Sequence, residues 1–94
     1  MSSLSSAKTL LSAVVATGAS QPVQADAGQP AFLQVVGITT ATVALQGSLD
    51  GTTYATIGTA LTADGIITVA NAPKYLRANV TAWTSGTITA KVLY

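Results

Sequence analysis

Few side chains in this sequence are equipped for chemistry. Its carboxylates are Asp26, Asp50 and Asp64, its cations are Lys8, Lys74, Arg77 and Lys91, and it has neither histidine nor cysteine. That removes the commonest imidazole and thiolate metal ligands, thiol nucleophiles, disulfides and any Ser-His-Asp constellation. The three aspartates show no D-x-D spacing of the kind a calcium loop uses, and no glycine-rich phosphate loop is present. No catalytic residue, cofactor or metal is expected.

One stretch has a spacing with chemical content, Gly47-Ser48-Leu49-Asp50-Gly51-Thr52-Thr53-Tyr54. Asp50 and Tyr54 could together hold a sugar, the carboxylate accepting from hydroxyls and the ring stacking on a pyranose face. The competing reading is structural: Asp50 caps the Asp50-Gly51 turn through backbone N–H groups and Tyr54 packs over the hairpin. The structural reading is favoured, because turn geometry imposes this pattern in proteins of many functions. Trp83, next to Thr84-Ser85-Gly86, is placed either to anchor an interface or to cover one end of the core. Arg77 lies between Tyr75 and Asn79 on an outward face. There it could pair across a subunit boundary with Asp26, Asp50 or Asp64, since an exposed pair within one subunit is worth only about 0 to 1 kcal/mol.

Charge narrows the partners. Four cations against three anions give a net charge of +1, too little and too scattered to track a phosphate backbone. They form no basic amphipathic face for an anionic membrane either. Neither nucleic acid nor membrane is expected as a partner.

The elements that must position these residues are strands. Thr, Val, Ile, Ala and Leu dominate, no helical period is sustained, and turn residues recur every eight to twelve positions. Strands are predicted over 9–16, 21–25, 31–38, 42–48, 53–59, 66–69, 74–82 and 87–94. Thr39-Thr40 is read as a hairpin, Asp50-Gly51 as a type I′ turn and Thr84-Ser85-Gly86 as the turn into the last strand. The clearest period of two places Leu76, Ala78, Val80 and Ala82 on one face and Tyr75, Arg77, Asn79 and Thr81 on the other. With 94 residues there is room for one small domain. About eight short antiparallel strands in that space predict an all-β fold, a single small β-sandwich of the jelly-roll kind, because an open sheet would leave one apolar face wet. Periodicity alone leaves jelly-roll and immunoglobulin-like strand orders open.

The first residues imitate a secretory leader, with Lys8 ahead of the apolar run Leu10 to Ala16. That run is about as short as a leader allows and is interrupted by Ser12. Residues 1–8 are instead assigned to an N-terminal arm and 9–94 to the sandwich, with Ser2, Ser3, Leu4 and Lys8 as candidate partner-binding residues alongside Arg77 and Trp83.

Charged residues make up only 7% of the chain, against the usual share of about 25%. Outward positions such as Thr42, Thr56, Thr68, Thr81, Thr87 and Thr89 supply hydroxyls without charge. Isolated domains normally use charge to stay apart and to blunt sheet edges. So neutral a surface predicts that much of it lies against other subunits.

The segment Ser48, Asp50, Gly51, Tyr54 resembles a hairpin motif of jelly-roll modules, including discoidin-like and carbohydrate-binding domains. More broadly, Thr42 to Gly51, Ala63-Asp64-Gly65, Lys74 to Thr81 and Ser85 to Ala90 resemble small structural proteins of tailed bacteriophages that decorate or cement the capsid. Tyr54 stands where Trp is frequent in that hairpin, which weakens a sugar-binding role more than a structural one. The resemblance implies a non-enzymatic homo-oligomer, with a trimer favoured. It would sit on the outer capsid surface of the virion, bind the major capsid protein and bridge neighbouring subunits, with Ser2 to Lys8 lying along a neighbour. A carbohydrate-binding module or a phage tail or fibre component is the alternative.

Overall fold

The structure, a computed structural model, describes residues 7–25 and 27–93. Among these, every regular element is a strand: β1 (Ala7–Val14), β2 (Gly18–Ala19), β3 (Val23–Gln24), β4 (Ala31–Ser48), β5 (Ala55–Leu61), β6 (Gly65–Val69) and β7 (Tyr75–Leu93). The fold is all-β, and all pairings are antiparallel within one seven-stranded sheet.

Two of these strands organise the rest. β4 and β7 are 18 and 19 residues long, and at about 3.3 Å per residue each would run roughly 60 Å if straight. The longest dimension of the molecule is 39 Å, so both must bend, and they do so together while staying paired from Phe32↔Leu93 to Ser48↔Tyr75. The N-terminal half of β4 pairs with β6 and with the C-terminal half of β7, which carries β1. The C-terminal half of β4 pairs with β5 and with the N-terminal half of β7, which carries β2 and β3. The sheet thereby folds into two layers, in the manner of a sandwich.

Alternation decides what lies between the layers. Ala31, Leu33, Val35, Ala41, Val43 and Leu45 of β4 are buried, as are Leu76, Ala78, Val80, Ile88, Ala90 and Val92 of β7, and all join one hydrophobic cluster. Odd positions of β4 and even positions of β7 point inward on both sides of the bend, so a single period-two pattern serves both layers. Ala82, expected on the inward face, is exposed, because it lies at the bend where that alternation breaks.

The bend is built by glycine. Gly37 has φ +87° and Gly86 φ +122°, backbone that an L side chain rarely adopts. A Cβ on Gly37 would collide with the Thr87 carbonyl, and one on Gly86 would lie 2.5 Å from the Gly37 carbonyl oxygen. The two backbones pass each other at the corner too closely for any side chain. The ladder shifts register repeatedly between Val36 and Ala41, the bulged geometry by which strands change layers.

This corner corrects two expectations. Thr39-Thr40 is not a hairpin and Thr84-Ser85-Gly86 is not a turn between strands. The chain runs through both in extended conformation, with Ile38↔Gly86, Thr40↔Ser85 and Ala41↔Trp83 paired. Threonine is a strand former, and side by side the two breaks satisfy each other's backbone. Four predicted strands are thus two long ones, while the strand predicted over 21–25 shrinks to β3, and β2 forms at Gly18–Ala19, between the predicted strands. The type I′ turn is also absent: Gly51 has φ +81°, but Asp50 does not have positive φ, and a longer loop, 49–54, joins β4 to β5. At the amino end, Ala7 and Lys8 pair with Leu93 and Val92. The last two residues assigned to the arm therefore belong to β1, and Ser2, Ser3 and Leu4 lie outside the described residues, as do Asp26 and Tyr94.

Candidate functional site

The loop after β4 is organised by two side chains. Ser48 is buried at the strand end, and its Oγ donates to Asp50 Oδ1 at 2.8 Å while accepting the N–H groups of Asp50 and Gly51 at 3.2 and 2.9 Å. Asp50 Oδ1 also accepts the N–H groups of Thr52 and Thr53 at 2.8 and 2.9 Å. These donors favour the ionised carboxylate and lower its pKa from 3.8 to about 2, the Thr53 and Thr52 amides contributing most. Asp50 is an anion whose Oδ1 is turned into its own loop.

Below the loop, β4 and β7 present an ordered polar face. Register sets Gln46 opposite Arg77 and Ala44 opposite Asn79. Gln46 Oε1 accepts from Arg77 Nε at 2.9 Å and from Asn79 Nδ2 at 3.4 Å. The Arg77 guanidinium carbon stands 3.9 Å from the Tyr54 ring centroid, a stacked cation–π arrangement. Beside it, Lys74 Nζ lies 5.6 Å from the Tyr75 ring centroid, and the same ring meets the loop so closely at Gly51 that a Cβ there would lie 3.3 Å from it.

The sequence candidates are therefore sorted by the fold. Asp50, Gly51, Tyr54 and Arg77 come together at one end of the β5-bearing layer. Tyr54 lies against the Arg77 guanidinium of β7. Arg77 covers one face of its ring, and its hydroxyl is buried without a hydrogen-bond partner, so this ring is not an open platform for a sugar on that side. Arg77 is held by Gln46 and Tyr54 of its own subunit. Asp64 lies at the bend instead, where its Oδ1 accepts the Ile38 N–H at 2.8 Å and ties the β5–β6 turn to the corner.

Trp83 is elsewhere. It is half-buried against the core, its Nε1–H donates to the Gly86 carbonyl at 3.0 Å, and it borders a recess of about 280 Å³ with Thr39, Thr42, Thr62 and Thr84. It packs against the core at the bend and stays partly exposed. Its pairing partner Ala41 and the loop-side Ser48 are separated by seven steps of β4, about 23 Å at 3.3 Å per residue, so Trp83 and Tyr54 do not share a site.

Two features escape a reading of the sequence. Gln46, the acceptor that fixes Arg77, is recognisable only as an outward residue until the β4–β7 register is known. The other is the outer face of the β6-bearing layer, where Ala7, Phe32, Gln34, Ile66, Lys91 and Leu93 line a groove of about 390 Å³. Ile66 is 58% and Val36 44% exposed there. Their alternation is visible in the sequence, but their sharing of one face depends on four strands converging. Comparison of the chain with protein-family models, with characterised proteins and with solved structures finds no match.

Proposed function

We propose that this chain is a non-enzymatic virion structural protein. It binds the outside of an assembled bacteriophage capsid through the major capsid protein, stabilises contacts between neighbouring capsid subunits and acts as a homotrimer. The observation that carries the reading is the open apolar face of the β6-bearing layer. Phe32, Val36, Ile66 and Leu93 face outward there, and among the described residues Lys91 is the single charged one lining the groove. Exposed apolar surface of this kind marks an interaction site, and the low charge of the chain fits close apposition to other subunits.

The strand order supports the jelly-roll form of this fold. In one layer β6, β4, β7 and β1 are neighbours; in the other, β5, β4, β7 and the β2–β3 edge. Counting the halves of β4 and β7 separately, the first segment pairs with the last and the second with the next to last, the nested order of a double Greek key.

The test is the copy number of the chain in purified particles, measured by quantitative mass spectrometry against the major capsid protein. Hundreds of copies per particle are expected. A handful would place the protein in the tail or fibre, and none would remove it from the virion.

A further inference from the structure

We infer that the free edge of β6 is an interface with a second copy of this chain: two β6 strands pair antiparallel about a two-fold axis and continue the sheet from one molecule into the next. The inference goes beyond the capsid reading and does not depend on it. Beside a homotrimer, such a contact joins chains of two different trimers, since a strand that pairs with its own copy closes after two chains.

A comparison of the sheet edges carries the argument. An edge strand presents unpaired N–H and C=O groups, and proteins blunt such edges with charge, proline, bulges or very short strands. Three edges of this fold are blunted. β1 carries Lys8, shifts register twice against β7 and holds Ala13 at φ +51°. The ladder of β5 shifts between Val43 and Leu45, with Gly58 at φ +68°. β2 and β3 have two residues each and stand on either side of Pro22. β6 has none of these devices. Gly65-Ile66-Ile67-Thr68-Val69 contains no charge and no proline, and it pairs with β4 from Val35↔Gly65 to Ala31↔Val69 without a shift. Among the described residues its other side has no strand partner. β5 meets it from the core side, where Gly58 approaches the Ile67 side chain.

Backbone this regular and this open selects a strand as its occupant, and the side chains suit a second β6. Centred on Ile67, two copies pair over all five residues and make about four to six hydrogen bonds. Ile66 then stands opposite the partner subunit's Thr68. Both are exposed on the outer face, and β-branched residues combine favourably across strands. Neither strand carries a charge to repel the other. A two-fold axis normal to the sheet also keeps the same face outward in both copies, so the apolar grooves bordered by Phe32, Ile66 and Leu93 lie side by side on one surface.

The experiment uses the full chain and two double variants, Ile66→Lys with Thr68→Lys and Ile66→Glu with Thr68→Glu. The substitutions fall at exposed positions and set like charges directly opposite each other across the two-fold axis. Sedimentation equilibrium is expected to give an even number of copies for the unmodified chain and half that number for each variant, with a dissociation constant raised at least about tenfold. Mixing the two variants opposes lysine to glutamate and should restore the original mass. Hydrogen exchange read by NMR on the unmodified chain should protect all five consecutive β6 amides, because a free antiparallel edge leaves every second one open to solvent. A monomer, a trimer or rapid exchange at alternate β6 amides overturns the inference using the unmodified protein alone. Unchanged mass in the folded variants overturns the assignment to β6, and no recovery on mixing overturns the pairing centred on Ile67. Copy number in particles decides the capsid reading separately, so the two can fail independently.

Discussion

Replacing Gly37 by alanine isolates the close approach on which the two-layer fold depends, because a matched control exists within the same chain. Gly37 and Gly28 have nearly the same backbone conformation, φ +87° and +86°. A Cβ at Gly28 meets nothing within 4 Å, whereas one at Gly37 collides with the Thr87 carbonyl, whose carbon would lie 2.8 Å away. Left-handed backbone costs alanine about 1–2 kcal/mol at either site. At Gly37 the strands must also separate at the corner. Losing about two ladder hydrogen bonds at a net ~1 kcal/mol each brings the total to about 3–4 kcal/mol. A chain of this length is stable by roughly 5–14 kcal/mol, so Gly37→Ala removes a large fraction while Gly28→Ala is tolerated. Urea denaturation of the three proteins reads the difference as a shift in midpoint at constant slope. If the two variants lie within about 1 kcal/mol of each other, the corner is not sterically closed and the account of the bend is wrong.

The remaining predictions address the loop, the core, the Trp83 end and the arm. Because the folded-state pKa of Asp50 lies below its ordinary value, 3.8 falling to about 2, its charge stabilises the fold fully above pH ~4. That contribution is lost as pH falls toward 2. The stability gap between the wild-type chain and Asp50→Asn should close across that window in acid titrations followed by circular dichroism, and a gap independent of pH would contradict the network around Asp50 Oδ1. Leu45→Ala, at a fully buried position between the layers, is expected to cost about 2–5 kcal/mol in the same urea assay; a cost under about 1 kcal/mol would mean the layers do not share a core. Trp83→Phe keeps the ring against the core but deletes the bond to the Gly86 carbonyl, and should cost about 0.5–1.5 kcal/mol; an unchanged midpoint would show that the bond adds no stability. Under the capsid proposal, deleting residues 1–6 leaves β1 intact and should abolish co-sedimentation with capsids without moving the urea midpoint; retained attachment would refute the arm.

Local rules made much of the fold legible. Strand propensity and period-two alternation identified the all-β class, and the inward residues Val43, Leu45, Leu76, Ala78, Val80, Ile88 and Val92 follow from alternation, because a strand has only two faces; Leu33 and Val35 do not, since Phe32 and Val36 make the opposite face of that segment apolar too. The internal bonding of the Asp50 loop was also readable, since Ser and Asp at such spacing reach backbone groups two and three residues on. The corner was not. Thr39-Thr40 and Thr84-Ser85-Gly86 each look like an interruption, and each is one only in isolation. Paired across the sheet, with Gly37 and Gly86 at positive φ, they become one bend that carries two long strands from layer to layer. Nor does sequence spacing place Gln46 beside Arg77, or Tyr54 over it, because residues 31 apart along the chain meet only through strand register. Composition determined what this protein lacks, namely histidine, cysteine and charge, and alternation determined most of the residues that point inward. Tertiary pairing decided where the few remaining functional groups meet: Arg77 and Tyr54 on one face, Phe32, Ile66 and Leu93 on the other, and Trp83 apart from both. Such placement depends on contacts distant in sequence, which no local pattern encodes.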